Sequence, residues 1–415
     1  MASIPRDPSL EASFALKRDP YGFISERARM LGSDVFETRL LLRRTICMTG
    51  PQAARLFYDP RCFARHGAAP AALRKTLLGQ GGVQTLDGDA HLHRKRLFLE
   101  LLAPARVAAL VRRAAHEWER AAQRWKALPR VELYAELQPL LARAVCTWAG
   151  VPLAESEVAA RTRELTALFD AAGSAGWSHL QARRARARSE RWAADIVERL
   201  RETRFHAAED TAVHRIAFHR ELDGALLPPR IAAVELLNVL RPTVATSVYV
   251  VFAAHALHAH PDWRAKLAAG DPAHADAFVQ EIRRAYPFFP AVPARVREDF
   301  VWRDLEFRAG TRALLDLYGT NHDPRAWEEP EAFRPERFLG ELPSPFAFVP
   351  QGGADPQLHH RCPGEGVVLE LMKQALRFLT GSLDYTVPPQ DLAIDRTRLP
   401  ALPHSRFVIT DVRPR

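Results

Sequence analysis

The chain has 415 residues, 47% of them hydrophobic, a net charge of +9 and four cysteines. Such a chain can bury a large core, and four cysteines give no disulfide framework, so Cys47, Cys62 and Cys146 read as buried or semi-buried thiols. The positive charge invites a nucleic-acid reading, but no recognition motif accompanies it.

In chain order, residues 1–20 form an N-terminal extension without an apolar signal core, and a cytoplasmic location follows as the expectation. Strand-like pieces are confined to Val35 to Met48, Phe300 to Leu317 and the last thirty residues. Between the turn-like Asp87-Gly88 and the helical region, His91 and Lys95 are spaced i, i+4 on one helical face. Helical periodicity dominates from Pro104 to Gly270, and no linker, repeat or low-complexity tract divides it. Within it, QARRARARSERW carries Arg183, Arg184, Arg186, Arg188 and Arg191, which read as a solvated basic helix face. Attraction of anionic lipid aggregates or a membrane surface to that face is the other reading.

The run from Arg230 to His260 reads as one long helix between Pro228-Pro229 and Pro261, interrupted by Arg241-Pro242. A guanidinium cannot lose its proton, so a buried Arg241 calls for an anion beside it. The alternative is a kinked helix with Arg241 snorkelling to the surface. The most apolar stretch, Val244 to Leu257, is shorter than a membrane span, which argues against stable membrane insertion. Further on, Glu281 and Arg284 lie three apart on one helix face, FRPERF supplies Arg337, and HHRCPGEG sets Cys362 in a loop just before a helix. The free N–H groups of that helix favour a thiolate able to ligate a metal. A zinc site would need a second Cys/His cluster that the spacing does not offer.

In this order, the ExxR, FxPxRF and cysteine-loop motifs resemble the cytochrome P-450 superfamily, from about Tyr21 to the C-terminus. The resemblance implies a mainly α cytochrome P-450 fold. Residues 21–415 would form a single helical domain with small peripheral β-sheets and a haem between the long distal helix and the cysteine-loop helix. It also implies haem b with Cys362 as axial thiolate and Glu281, Arg284 and Arg337 as a structural triad. The usual acid-threonine pair of the distal helix is replaced by Arg241-Pro242-Thr243. With KTLLGQGGVQTLDGDAHLHRK, LRPTVA, RRAYPFFPAV and HRCPGE, this is similar to the bacterial fatty-acid peroxygenase branch. His359 stands where that branch has glycine, which leaves the local path of the loop open.

That branch implies hydroxylation of long-chain fatty acids by hydrogen peroxide, with no redox partner protein and no nucleic acid. Arg241 would hold the substrate carboxylate, which acts as general acid-base, and Pro242 would set its distance from the iron. Gln84 would lie over the distal pocket, and His91, Lys95 and Arg65 would contact the haem propionates. Leu78, Phe169 and Phe288 would shape the substrate channel. TLLGQGGVQ, FDAAGSAG and PFFPAV look most like the C2-hydroxylating member, so C2 is expected over C3. Gln84, in place of the histidine of an alkene-forming relative, makes decarboxylation minor. The alternatives are a redox-partner-dependent monooxygenase or hydroperoxide-rearranging enzyme, and a haem sensor or carrier without turnover.

Overall fold

The structure, a computed structural model, describes residues 3–174 and 176–415. Its axis is the helix Pro229–Ala259, 31 residues and so about 46 Å long at 1.5 Å per residue. Pro229 occupies the first turn, where no intrahelical N–H is needed. The helix is apolar all round because it is enclosed by Leu133–Ala149, Gly176–Arg201, Glu155–Asp170 and Glu365–Arg377, and these surfaces form the main core cluster. By length and composition it could cross a membrane, but its apolar window is 94% buried inside the protein. The helix continues through Pro242 without interruption. The hydroxyls of Thr243 and Thr246 bend back onto the carbonyls of Val239 and Pro242, at 2.9 and 3.3 Å.

A five-stranded sheet packs a second, smaller core. Its strands, in spatial order, are Val35–Leu40, Arg43–Met48, Arg312–Asp316, Ala291–Val296 and Phe63–Ala64. The last two, the short Val131–Glu132 and all but the final residue of Leu383–Thr386 fall outside the three segments expected to hold strands. Pro293 disguised the fourth strand. Phe63–Ala64 pairs only with Arg295 and Val296, so Pro293 lies on an uncovered stretch of edge, where no ladder partner requires its missing N–H. The N-terminal residues lie along the first strand: Arg6 bridges to Glu37, the Ala12 amide donates to Arg39 O, and Ser13–Arg18 is helical.

The basic helix Gly176–Arg201 requires a correction. Arg183, Arg184, Arg188 and Arg191 are exposed, but Arg186 is buried at 3% exposure. Helical phase turns residues 182, 185, 186 and 189 inward, so one of the five arginines must enter the interior. There Arg186 pairs with Glu190 at 2.6 Å, donates to Leu77 O and rests against Gly79. A Cβ on Gly79 would lie 2.0 Å from Arg186 Nη2, and φ of +78° there also favours glycine.

Candidate active site

Cys362 sits in the loop before Glu365–Arg377, its amide donating to Gln351 O at 3.0 Å. It is a free, half-buried thiol. Burial pushes the thiol above its ordinary value, while the Gly364 amide and the Lys95 and Arg283 charges act in the opposite direction. The same loop is tied down by Arg361 and Arg283, which share Glu365 on the following helix. Lys95, 2% exposed, donates to the carbonyls of Arg361 at 2.9 Å and of His359. His359 is not among the positive-φ residues; Gly352 and Ala354 make the left-handed turns of this loop. Its backbone therefore does not need glycine at 359.

His91 stacks on His360 with ring centroids 3.8 Å apart. His360 lies 3.7 Å from Asp87, which accepts the amides of Arg65 and His66. Arg65 donates to Pro293 O at 2.7 Å and covers the Phe57 ring at 4.3 Å. The expected propionate contacts Arg65, His91 and Lys95 are thus gathered beside the cysteine loop. Burial pulls the Lys95 ammonium down to about 8, with the Cys362 sulfur opposing. Burial and the His360 and Lys95 charges take His91 down to about 3.

Across from this cluster, Arg241 is buried at 7% exposure on the long helix. Snorkelling is therefore excluded. Its Nη1 donates to Leu77 O, and no carboxylate pairs with it among the described residues. Burial, then the Arg186 charge, pull Arg241 down to about 9, and the Cys362 sulfur opposes them. It remains a cation at neutral pH. Leu78 is half-buried in the turn Arg74–Leu78, next to the carbonyl that Arg241 holds. Phe169 is fully buried at the end of Glu155–Asp170, which packs on both that turn and the long helix. Phe288 stacks on Tyr249 at 4.3 Å, and Tyr249 lies about two helical turns along the long helix from Arg241.

Gln84 Oε1 accepts from Asn238 at 3.1 Å, one turn before Arg241. Asn238 also donates to Glu235, a fully buried carboxylate that accepts the Val83 amide and Arg94 at 2.8 and 2.6 Å. This network was not anticipated. Glu235 reads as one polar residue in an apolar run, and its partner Arg94 lies 141 residues away. Arg186, Arg283 and Asp87 were likewise passed over as site residues. Beneath the loop, Glu281 and Arg284 are both fully buried and joined by two parallel 2.7 Å hydrogen bonds. Arg337 approaches Glu281 at 3.4 Å and donates to Glu328 O at 2.9 Å.

Residues 274–377 match the family model described as Cytochrome P-450. Cytochrome P-450 SP alpha, solved with (R)-ibuprophen, superposes at a TM-score of 0.95 with 50% identity, over 98% of this chain and 99% of that one. This chain belongs to the cytochrome P-450 family. Cytochrome P-450 EX alpha with myristic acid gives 0.96 and 43% identity over all of both chains, and cytochrome P-450 OleT with arachidonic acid gives 0.96 and 31% over 100% and 99%. Demethylepipodophyllotoxin synthase of Sinopodophyllum hexandrum is 28% identical over 142 residues, 33% of this chain, and the match spans only 26% of that relative. The solved neighbours place the chain in the fatty-acid peroxygenase branch of the family. The residues present fit the haem-thiolate group of the family. Cys362 receives the Gly364 amide, the Lys95 ammonium, the Arg65 guanidinium and the neutral His91 imidazole offer donors suited to carboxylates, and the Arg241 guanidinium has no carboxylate partner among the described residues.

Proposed function

We propose that the protein hydroxylates long-chain fatty acids near the carboxyl end at the expense of hydrogen peroxide, with C2 favoured over C3. The observation that carries this reading is Arg241, a buried cation without a carboxylate partner, in the same electrostatic neighbourhood as Cys362. A fatty-acid carboxylate satisfies it by a charge-assisted, two-pronged contact, and the tail follows the apolar walls that include Leu78 and Phe169. Haem b, held by the Cys362 sulfur with Arg65, His91 and Lys95 toward its propionates, would supply the oxidising iron, and thiolate donation favours O–O cleavage.

Arg241 keeps the carboxylate ionised and oriented. In that position a carboxylate oxygen can accept a proton from hydrogen peroxide and return it to the departing oxygen, so the substrate acts as the general acid-base. No acid-threonine pair is then required of the long helix. The amide of Gln84, fixed by Asn238, offers a hydrogen bond that does not titrate. Anchoring the carboxyl end restricts oxidation to the nearest carbons by proximity. No redox partner or nucleic acid enters this scheme, and a cytoplasmic location is part of the same reading. The apolar window of the long helix is 94% buried inside the protein, which supports the reading of action without stable membrane insertion.

The test is product analysis by mass spectrometry after adding peroxide and a long-chain fatty acid without any reductase. A 2-hydroxy acid is the expected product. Oxidation seen only with oxygen, a reductase and a reduced nicotinamide cofactor would eliminate the peroxygenase reading.

A further inference from the structure

Far from the cysteine loop, the strands Val35–Leu40 and Arg43–Met48 are joined by the two residues Leu41-Leu42. Both have positive φ, 53° and 59°. Two-residue hairpin turns of this kind take asparagine or glycine readily and leucine at a penalty. The leucines gain no burial in return, being 64% and 83% exposed. Leu10 and Phe14, 87% and 79% exposed, stand beside them. Glu11 joins the two segments, its carboxylate accepting the amides of Leu41 and Leu42 while Ser13 Oγ accepts the Leu41 amide at 2.7 Å. The hydrogen bonds from Ser13 and these amides hold Glu11 down to about 2, so the clasp persists in acid.

The surroundings of this tip are basic. Lys17, Arg18, Arg39, Arg43 and Arg44 are all exposed. Arg39 and Arg44 face each other across the hairpin, an arrangement of like charges that works against pairing. Below the turn, Arg43, Arg44, Arg295 and Arg312 line a cleft of about 390 Å³ that contains no acidic residue. Among the described residues, no carboxylate pairs with Arg39, Arg43, Arg295 or Arg312, and Glu37 is engaged by Arg6 and Arg44. Burial, then the Arg43 charge, lower the Arg312 guanidinium.

We propose that this tip docks the enzyme on the surface of an anionic phospholipid bilayer, with Leu10, Phe14, Leu41 and Leu42 entering the headgroup–acyl boundary and the arginine cleft receiving lipid phosphates. Strain, exposed apolar side chains and opposed like charges all reduce stability at one place, and an anionic, apolar-backed surface relieves the last two together. Four exposed side chains about a two-residue turn are too few for a stable protein interface of about 800 Å² per partner, whereas shallow insertion needs no matching groove.

Co-sedimentation of the haem-loaded enzyme with vesicles tests this, comparing phosphatidylglycerol-containing with pure phosphatidylcholine vesicles at low and high salt. Binding should require the anionic lipid and weaken with salt. The Leu41→Asn/Leu42→Gly double variant should bind at least about ten-fold less while its thermal midpoint stays equal or rises, because Asn-Gly suits the turn. Phe14→Ser, on the other segment, should weaken binding independently. Arg43→Gln and Arg295→Gln should each reduce anionic-vesicle binding about five-fold. Wild-type binding retained by the double variant and by Phe14→Ser overturns the proposal. So does a wild-type enzyme that binds no vesicles, whether it stays monomeric or pairs with a second copy through this tip.

Discussion

At the residue scale, the proposed chemistry turns on position 241. A surface arginine contributes little when removed, whereas a buried guanidinium without a carboxylate partner has been kept despite its desolvation. Arg241→Ala should retain haem and lose fatty-acid turnover by at least about 100-fold in kcat/KM, since both the anchor and the proton relay leave together. Arg241→Lys keeps the charge without the planar fork and should be only partly active. Acetate, occupying the same place in the wild-type enzyme, should allow peroxide to oxidise a substrate that has no carboxylate. Steady-state rates with and without the short acid check both expectations. An Arg241→Ala protein as fast as wild type would end the substrate-assisted scheme while leaving the haem assignment standing.

Among the elements, the helix Pro272–Ala285 holds the cysteine loop in place through its last turn. Glu281 receives Arg284 twice and the Arg334 amide at 2.7 Å, and Arg284 reaches on to Pro330 O and Ala332 O. Its neighbour Arg283 grips Gln351 and Glu365 on either side of Cys362. Truncating one member leaves the opposite charge buried and unpaired. Glu281→Ala should therefore lose about 3–5 kcal/mol and with it the ability to retain haem. The measurement is denaturant unfolding alongside the thiolate-type Soret band of the reduced carbon monoxide complex. A variant with normal stability and a normal band would reduce the triad to a surface-like pair.

For the whole molecule, histidines enclosed during folding favour unfolding in acid. His322 Nδ1 donates to Tyr318 O at 2.8 Å, and the ring stands beside Arg284; burial first, then that charge, take it down to about 4. An unfolded chain protonates this ring near its ordinary 6.5. Between those values the unfolded state binds a proton that the folded state refuses. The stabilising contribution is complete above about pH 6.5 and disappears as pH falls toward 4, at about 1.4 kcal/mol per pH unit. From pH 7 to pH 5 the wild type should thus lose about 2 kcal/mol more than His322→Gln, as read from chemical denaturation at the two pH values. Equal losses would mean that His322 titrates normally in the fold. His219, also taken to about 4 by burial and its basic neighbours, acts in the same direction.

Local pattern determined much of this protein. Prolines at both ends and predominantly apolar content mark the long helix, i, i+3 spacing joins Glu281 to Arg284, and i, i+4 spacing puts His91 and Lys95 on one face. These features are short-range and survive reading as a string. Only the tertiary structure decided the rest. Arg186 appears as one of five similar arginines until helical phase and the bare Gly79 admit it beside Arg241. The Glu235, Arg94 and Gln84 network is assembled from segments about 140 to 150 residues apart, and the strand at Pro293 depends on which of its edges stays uncovered. Burial is a property of the assembled surfaces, so which charge is solvated and which is enclosed could not be read from residue type or spacing.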